Sequence, residues 1–212
     1  MRALTARITE PTTMTLRTDN YFAETYGLTP THSEVVEALP QLTPGKALDL
    51  GCGSGRNTLF LNQHGFEVTA WDHNPASLDR LNHIIATEGL TGIHTAQQDL
   101  NQVRFNGAYQ VVLSTVVMMF LQPGTIPQLI ADMQACTVKN GFNLIVAAMN
   151  TEDAPCPSDF PFAFKSGELS HYYRNWHIVK YNENWGQLHR KDANGNRINC
   201  RFATLLAQKA SY

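Results

Sequence analysis

The chain has 212 residues, with 16 Lys and Arg against 18 Asp and Glu and a formal net charge of −2. That length serves one domain that buries roughly 70% of its unfolded surface, and the near-neutral balance without a basic run argues against nucleic acid as a partner. Cys52, Cys136, Cys156 and Cys200 lack C-x-x-C or Cys/His ligand spacing, no apolar run reaches the roughly 18 residues that span a bilayer, and the N-terminus has no signal-peptide core. The expectation is a cytoplasmic protein with reduced thiols, no metal and no membrane insertion.

Residues 1–18 are rich in threonine and arginine, carry Pro11 and show no apolar period; they read as a flexible N-terminal extension, with Met14 as an alternative start. Residues 19–212 read as one domain. Asn20 to Tyr26 is a short aromatic helix, and Thr31-His32-Ser33-Glu34 is a capping box that opens a helix to Leu39. Lys46 to Leu50 is a buried strand. It ends in a loop with glycines at 51, 53 and 55, and a helix from Asn57 to His64 follows.

The spacing of this loop discriminates between cofactors. A dinucleotide fingerprint, G-x-G-x-x-G, needs a third glycine where this chain has Arg56, and a pyrophosphate would be repelled by Asp49 at the strand's end. A cationic ligand without phosphate suits both positions. Gly51 and Gly53 would let the backbone lie against it, and Asp49 would hold its amino group directly or through a water. The alternative is a glycine-rich turn that only joins strand to helix. The pattern D-x-G-C-G-x-G resembles motif I of the class I S-adenosylmethionine-dependent methyltransferases.

Beyond the loop, strands and helices alternate. Phe66 to Trp71 is a strand ending in Asp72, Pro75 opens a helix to Glu88, and Gly89 stops it. Ile93 to Ala96 and Tyr109 to Ser114 are further strands; a helix from about Thr125 to Lys139 and a turn at Asn140-Gly141 lead to the strand Phe142 to Ala147. Mostly apolar strands alternating with helices predict a parallel sheet covered on both faces. Residues 148–164, with Pro155, Pro157 and Pro161, read as a rigid loop, and a short helix spans about Gly167 to Arg174. Trp176 to Tyr181 is a strand, and 186–192 with 197–207 form a hairpin about Asn194-Gly195.

Ligands of such sheets lie across the carboxyl ends of the strands. Asp49, Asp72, Gln98-Asp99-Leu100 and Ser114-Thr115 end four successive strands. Asp72 can accept two ribose hydroxyls, and Asp99 the adenine amino group beside a Leu100 backbone amide. Arg56 and Asn57 would meet a carboxylate. Taken singly, each aspartate is more often a turn or helix cap than a ligand; spaced through the sheet like this, the set favours a ligand.

The segment Asn20-Tyr21-Phe22, Tyr26 and Thr29 to Val35, followed by DLGCGSGRNTLFL (49–61), LSTVVMMFL (113–121), GFNLIVAAMNT (141–151), Phe160 to Lys165, Lys180 to Glu183, Gly186 to Arg190 and Phe202 to Thr204, closely resembles the bacterial tellurite-resistance methyltransferases from about Asn20 to Lys209. The resemblance implies a Rossmann-like class I methyltransferase α/β fold, with a mainly parallel seven-stranded sheet, an antiparallel C-terminal hairpin and helices on both faces. It also implies S-adenosyl-L-methionine as donor, S-adenosyl-L-homocysteine as product, and a small inorganic chalcogen oxyanion or reduced chalcogen as acceptor, with a homodimer left open. The expected cofactor set is Tyr26, Asp49, Gly51, Gly53, Arg56, Asn57, Asp72, His73, Asp99, Leu100 and Thr115. The residues matching the family's active-site positions are His189, Arg190 and Arg197. A two-residue turn would place Asp192 opposite Arg197, Arg190 opposite Asn199, and His189 opposite Cys200. That register turns His189 to the face away from the two arginines, so a hairpin bulge or another route is required; a salt bridge from Arg197 to Asp192 is the plain alternative. Tyr21, Tyr26, Phe120, Phe162 and Phe164 are candidates for lining the acceptor pocket. Met118, Met119 and Cys156 offer soft atoms near it, though core packing would explain the methionines as well.

Overall fold

The computed structural model describes residues 17–157 and 159–211, with His189 described by its backbone alone. Residues 1–16, including Met14 and Pro11, lie outside the described residues. Arg17 and Thr18 are docked: Gln63 Nε2 donates to both of their carbonyls, and Arg17 pairs with Glu88 at 2.7 Å.

Strands β1 (Lys46–Leu50), β2 (Glu67–Asp72), β3 (Ile93–Gln97), β4 (Tyr109–Thr115), β5 (Thr137–Ala148), β6 (His177–Lys191) and β7 (Arg197–Gln208) form one sheet in the order β3-β2-β1-β4-β5-β7-β6. The first five pair in parallel, and β7 is antiparallel to both β5 and β6. This is the class I methyltransferase sandwich expected from the sequence. Strand order reverses between β1 and β4, which opens a crevice at their carboxyl ends.

Consecutive apolar residues in the central strands follow from cover on both faces. Leu48, Leu50, Val112 and Ile145 pack toward α5 (Ile126–Cys136) and α6 (Glu168–Tyr172). Their neighbours Ala47, Val111, Leu113 and Leu144 pack toward α2 (Ser33–Ala38) and α3 (Arg56–Gln63). Alongside α3, the helices α1 (Tyr21–Tyr26) and α4 (Pro75–Glu88) enclose a third cluster with Leu59, Leu78 and Leu81.

Four expectations need correction. The fifth helix stops at Cys136 rather than Lys139, where the Thr137 hydroxyl donates back to the Met133 carbonyl. Asn140-Gly141 is no turn between elements but the crest of a bulge inside β5: Tyr109 pairs with Thr137 and Val111 with Phe142. Asn140 takes φ 61°, a conformation its short polar side chain tolerates. α2 is capped by His32, whose Nδ1 accepts from the Glu34 amide, so the Thr31 hydroxyl is left to donate to the Arg56 carbonyl. Finally, the stretches 176–181 and 186–192 belong to one strand, β6. Asn182-Glu183-Asn184 breaks the apolar alternation, yet Glu183 is satisfied by Ser166 Oγ and the Gly167 amide while the ladder runs on against Ala203 and Thr204.

The hairpin register also differs. Asp192 donates its amide to Asn196, and Gly195 donates to Asp192 with φ 81°, giving a three-residue loop closed by a left-handed glycine. The Asp192 carboxylate accepts from the Asn194 and Asn196 amides at 2.9 Å each, and so serves the turn rather than Arg197. Lys191 pairs with Arg197 and Gln187 with Asn199, so β6 carries a bulge between them; Cys200 lies opposite Gly186 instead of His189.

Candidate active site

The loop after β1 is shaped by close approach. A Cβ on Gly51 would come within 2.3 Å of Val117 Cγ2, and one on Gly55 within 2.4 Å of Leu81 Cδ1. Gly55 at φ 90° therefore performs the helix-packing role for which the sequence offers Arg56 in the fingerprint register. Gly53 has open space on its Cβ side, and its amide donates to Asp72 Oδ2 at 2.8 Å. The other Asp72 oxygen accepts from the Asn74 amide, so this carboxylate ties the glycine loop to the start of α4.

Two cavities open at the carboxyl ends of the strands. The first, about 390 Å³, is lined by Gly51, Asp72, His73, Gln98, Asp99, Leu100, Asn101, Val116, Val117, Phe120 and Leu121. Its charged side chains are two acids, which suits a cation or neutral hydroxyls and opposes a phosphate. Asp99 is at once a wall residue and a cap, accepting from the Asn101 amide. His73 is exposed, with Nδ1 3.5 Å from Asp72 Oδ1.

The second cavity, about 380 Å³, is walled by the root of the hairpin (Asn182, Asn184 to Leu188, Phe202 and Thr204), by Val146, and by His32 to Glu34 with Arg56 across from them. Burial lowers the Arg56 guanidinium's affinity for its proton, an effect the nearby Asp49 opposes. Among the described residues its backbone carbonyl is engaged by Thr31, while its guanidinium has no hydrogen-bond partner. Lys180 binds Glu34 at 2.5 Å and Glu37 at 2.6 Å, which fixes α2 as one wall.

Val116 borders both cavities. Its φ of 60° is strained for a β-branched side chain, and its amide donates to Val146 at 2.6 Å. Nothing in the valine pair 116–117 distinguishes it in sequence from a continuing strand. The hairpin-root polar residues were equally hidden, although Asn182 and Asn184, two apart, are the alternation that one wetted strand face would show.

The remaining expected residues divide. Asp49 lies behind the loop, 1% exposed, accepting from Thr58 Oγ1 at 2.7 Å; burial pushes its pKa up to about 6 against the opposing Thr58 bond and Arg56 charge. Asn57 is a buried strut, donating to Thr115 Oγ1 and accepting from the His32 amide, so neither it nor Thr115 lines a cavity. Tyr26 and Tyr21 sit away from both cavities, each giving its hydroxyl to Glu88 Oε1 at the far end of α4. Phe120 lines the first cavity, whereas Phe162, Phe164 and Met118 belong to the core beneath α5, and Met119 to a cluster with Leu188 and Cys200. Arg190 and Arg197 are exposed on the hairpin beyond the second cavity. His189 is placed in β6 by its backbone, and its side chain lies outside the described residues.

Comparison with known proteins adds the following. The family model described as tellurite resistance protein TehB matches residues 14–206. A protein of Haemophilus influenzae (strain 10810) named "Probable S-adenosyl-L-methionine-dependent methyltransferase TehB" is 48% identical over 191 residues, 90% of this chain; the chain spans 66% of that relative's length. The crystal structure of TehB from Haemophilus influenzae superposes with a TM-score of 0.87 at 47% identity, covering 90% of this chain and 66% of that one. A Methanosarcina mazei protein described among S-adenosylmethionine-dependent methyltransferases, at 16% identity, shares the fold with a TM-score of 0.62, covering 83% of this chain and 98% of that one.

Proposed function

The chain belongs to the TehB tellurite-resistance family, and on that premise we propose that it transfers a methyl group from S-adenosyl-L-methionine to a tellurite- or selenite-derived chalcogen, in the cytoplasm, as a detoxification. One observation carries this reading: an acid-lined cavity and a cavity bordered by an uncapped guanidinium meet at a single residue, Val116. A cationic donor and an anionic acceptor fit those two places, and the reverse arrangement does not.

The bound donor would supply an electrophilic methyl carbon beside a sulfonium. Asp72 would accept the ribose hydroxyls, Asp99 and the Leu100 amide would hold the adenine, and Gly51 and Gly53 would present backbone to the methionine portion. Asp49 would set negative potential behind the donor's amino group. A soft chalcogen attacks through a lone pair and has no proton to lose, so the site needs no general base. The chain's contribution is alignment and exclusion of water, from α2, Val116, Leu188 and Phe202 around the acceptor. Arg56 would neutralise the acceptor's negative oxygens from within the cavity, and Arg190 and Arg197, with His189, would do so from the hairpin.

Single-turnover assays on tellurite, selenite and a small thiol, each at a defined oxidation state, test the reading. Formation of S-adenosyl-L-homocysteine with the chalcogen acceptors in preference to the thiol is expected. Faster turnover of the thiol would reassign the enzyme to small-molecule thiol methylation, which the apolar Val146, Leu188 and Phe202 lining would accommodate. Cofactor binding with no turnover on any acceptor would leave only a binding module.

A further inference from the structure

Outside the two cavities, Cys156 Sγ faces Cys200 Sγ at 3.8 Å, joining chain positions 44 residues apart. Both are free thiols. Cys200 is fully buried on β7, in a cluster with Met119, Ala148 and Leu188. Cys156 is half-buried on the loop after β5, between Pro155 and Pro157, and its own amide is held by Asn150 Oδ1 at 3.0 Å. The other two thiols point elsewhere: Cys52 toward the Gly53 carbonyl and Cys136 toward the Met133 carbonyl. A disulfide brings its sulfurs to about 2.05 Å. Closing the remaining gap, roughly 2 Å, falls to the surface loop, because β7 is paired on both sides.

We propose that Cys156 and Cys200 form a modification site, a dithiol closed to an intrachain disulfide by a two-electron thiol oxidant, either a hydroperoxide or a low-molecular-weight disulfide. Access sets the order. Cys156 is the sulfur that solvent reaches, so its thiolate attacks first. With a hydroperoxide the O–O bond breaks, an alcohol (water, from hydrogen peroxide) leaves, and Cys156 becomes a sulfenic acid. The Cys200 sulfur then attacks the Cys156 sulfur; the S–O bond breaks, an S–S bond forms, and the departing hydroxide takes the Cys200 proton to leave as water. With a disulfide oxidant, Cys156 forms a mixed disulfide and releases one thiol, and Cys200 displaces the second. In both routes the pair loses two electrons and two protons. Burial and the neighbouring Cys156 push the Cys200 pKa up to about 12, which keeps it a protonated resolving thiol rather than an independent nucleophile.

The cross-link would bear first on the acceptor side. Leu188 packs in the Cys200 cluster and also lines the acceptor cavity, and Phe202, two residues on, does both. Tying the proline loop to β7 there restrains one wall of that cavity, and reaches the donor cavity only through Val116 and the Phe160 contact with Phe120.

The test treats the full chain with hydrogen peroxide in one arm and oxidised glutathione in the other. Remaining thiols are then alkylated under denaturing conditions and peptides mapped without reduction. A Cys156–Cys200 linked peptide, removed by dithiothreitol, is expected, with Cys52 and Cys136 alkylated. Formation in only one arm supports the site and names its oxidant. Cys156→Ser, a surface-loop change, should abolish the linked peptide in a folded protein, and Cys200→Ser should leave Cys156 trapped as sulfenic acid or glutathione adduct. Disulfide-linked dimers through Cys156, or a stable Cys156 adduct in the wild type with Cys200 still alkylatable, would overturn the proposal.

Discussion

Asp49 ends β1 with a carboxylate that burial holds near pKa 6, against 3.8 for a solvated one. Below pH 3.8 the folded and unfolded chains are both protonated there, and above about 6 both are ionised, with the fold bearing the full cost of the buried charge. Between those limits the fold binds a proton that the unfolded chain has released. Stability from this group therefore falls as pH rises, by up to about 1.4 kcal/mol per unit. Asp49→Asn keeps an oxygen for Thr58, and we expect it to flatten that slope and to raise the urea midpoint at pH 7; midpoints of the two proteins that stay parallel from pH 4 to 7 would refute the assignment. Asp72 has a different task, holding the Gly53 amide in the free protein. Asp72→Ala is expected to weaken S-adenosylmethionine binding by about 1.5–3 kcal/mol in calorimetry, the worth of charged hydrogen bonds. For Arg56→Gln we expect the acceptor KM to rise by roughly tenfold to a hundredfold, for the loss of one charged contact, with donor affinity near normal. A lost donor affinity instead would return Arg56 to the cofactor carboxylate. Asp72 and Asp99 stand in a cavity wall at the strand ends, where a doubly wound sheet keeps its ligands and where sequence can point; the bracing bonds of Asn57 were not legible, because a polar residue at a helix start reads the same whether it faces a ligand or a neighbour.

Asn57 shows how the elements hold one another. Its amide group spans from the His32 amide on the approach to α2 to Thr115 at the end of β4. Truncation leaves both partners without it in a buried place, so Asn57→Ala should lower unfolding free energy by about 1–3 kcal/mol, read from urea denaturation. A change within about 0.5 kcal/mol would mean that water replaces the strut. The Lys180 link from β6 to Glu34 and Glu37 does the same job from the other side. Elements with strong period, α4 between Pro75 and Gly89 or β1 before its glycines, were readable to the residue. β6 was not, because Asn182, Glu183 and Asn184 are polar for the cavity's and the loop's sake and so interrupt the signal of a strand. The hairpin tip misled for a related reason: Asn-Gly marks a turn, but Asp192 stabilises a longer loop through two side-chain bonds that spacing does not encode.

For the whole molecule, ligand binding and folding are linked. A donor that binds only the folded chain adds about 2.7 kcal/mol at a hundred times its Kd, and for a domain of this size that raises the thermal midpoint by roughly 5–11 °C. S-adenosylmethionine and S-adenosylhomocysteine should both produce such a shift, and NAD should not, because Asp49 stands behind the glycine loop against which its pyrophosphate would lie. Equal shifts with NAD would contradict the polarity of the cavity. The sheet's architecture was predictable from alternation, and its final strand order needed the family likeness, since periodicity says which faces are buried but not which neighbours pair. The division of the two cavities along the chain has a consequence for synthesis. Every wall residue of the acid-lined cavity lies between Gly51 and Leu121, whereas the acceptor cavity takes residues from His32 to Thr204. A ribosome delivering this chain from its N-terminus completes the donor's wall by Leu121, before most of the acceptor's wall, from Val146 to Thr204, has been made. An incomplete chain would lack most of the wall that receives the acceptor and keeps water from it, so both acceptor binding and protection of the donor depend on the last strands to be made.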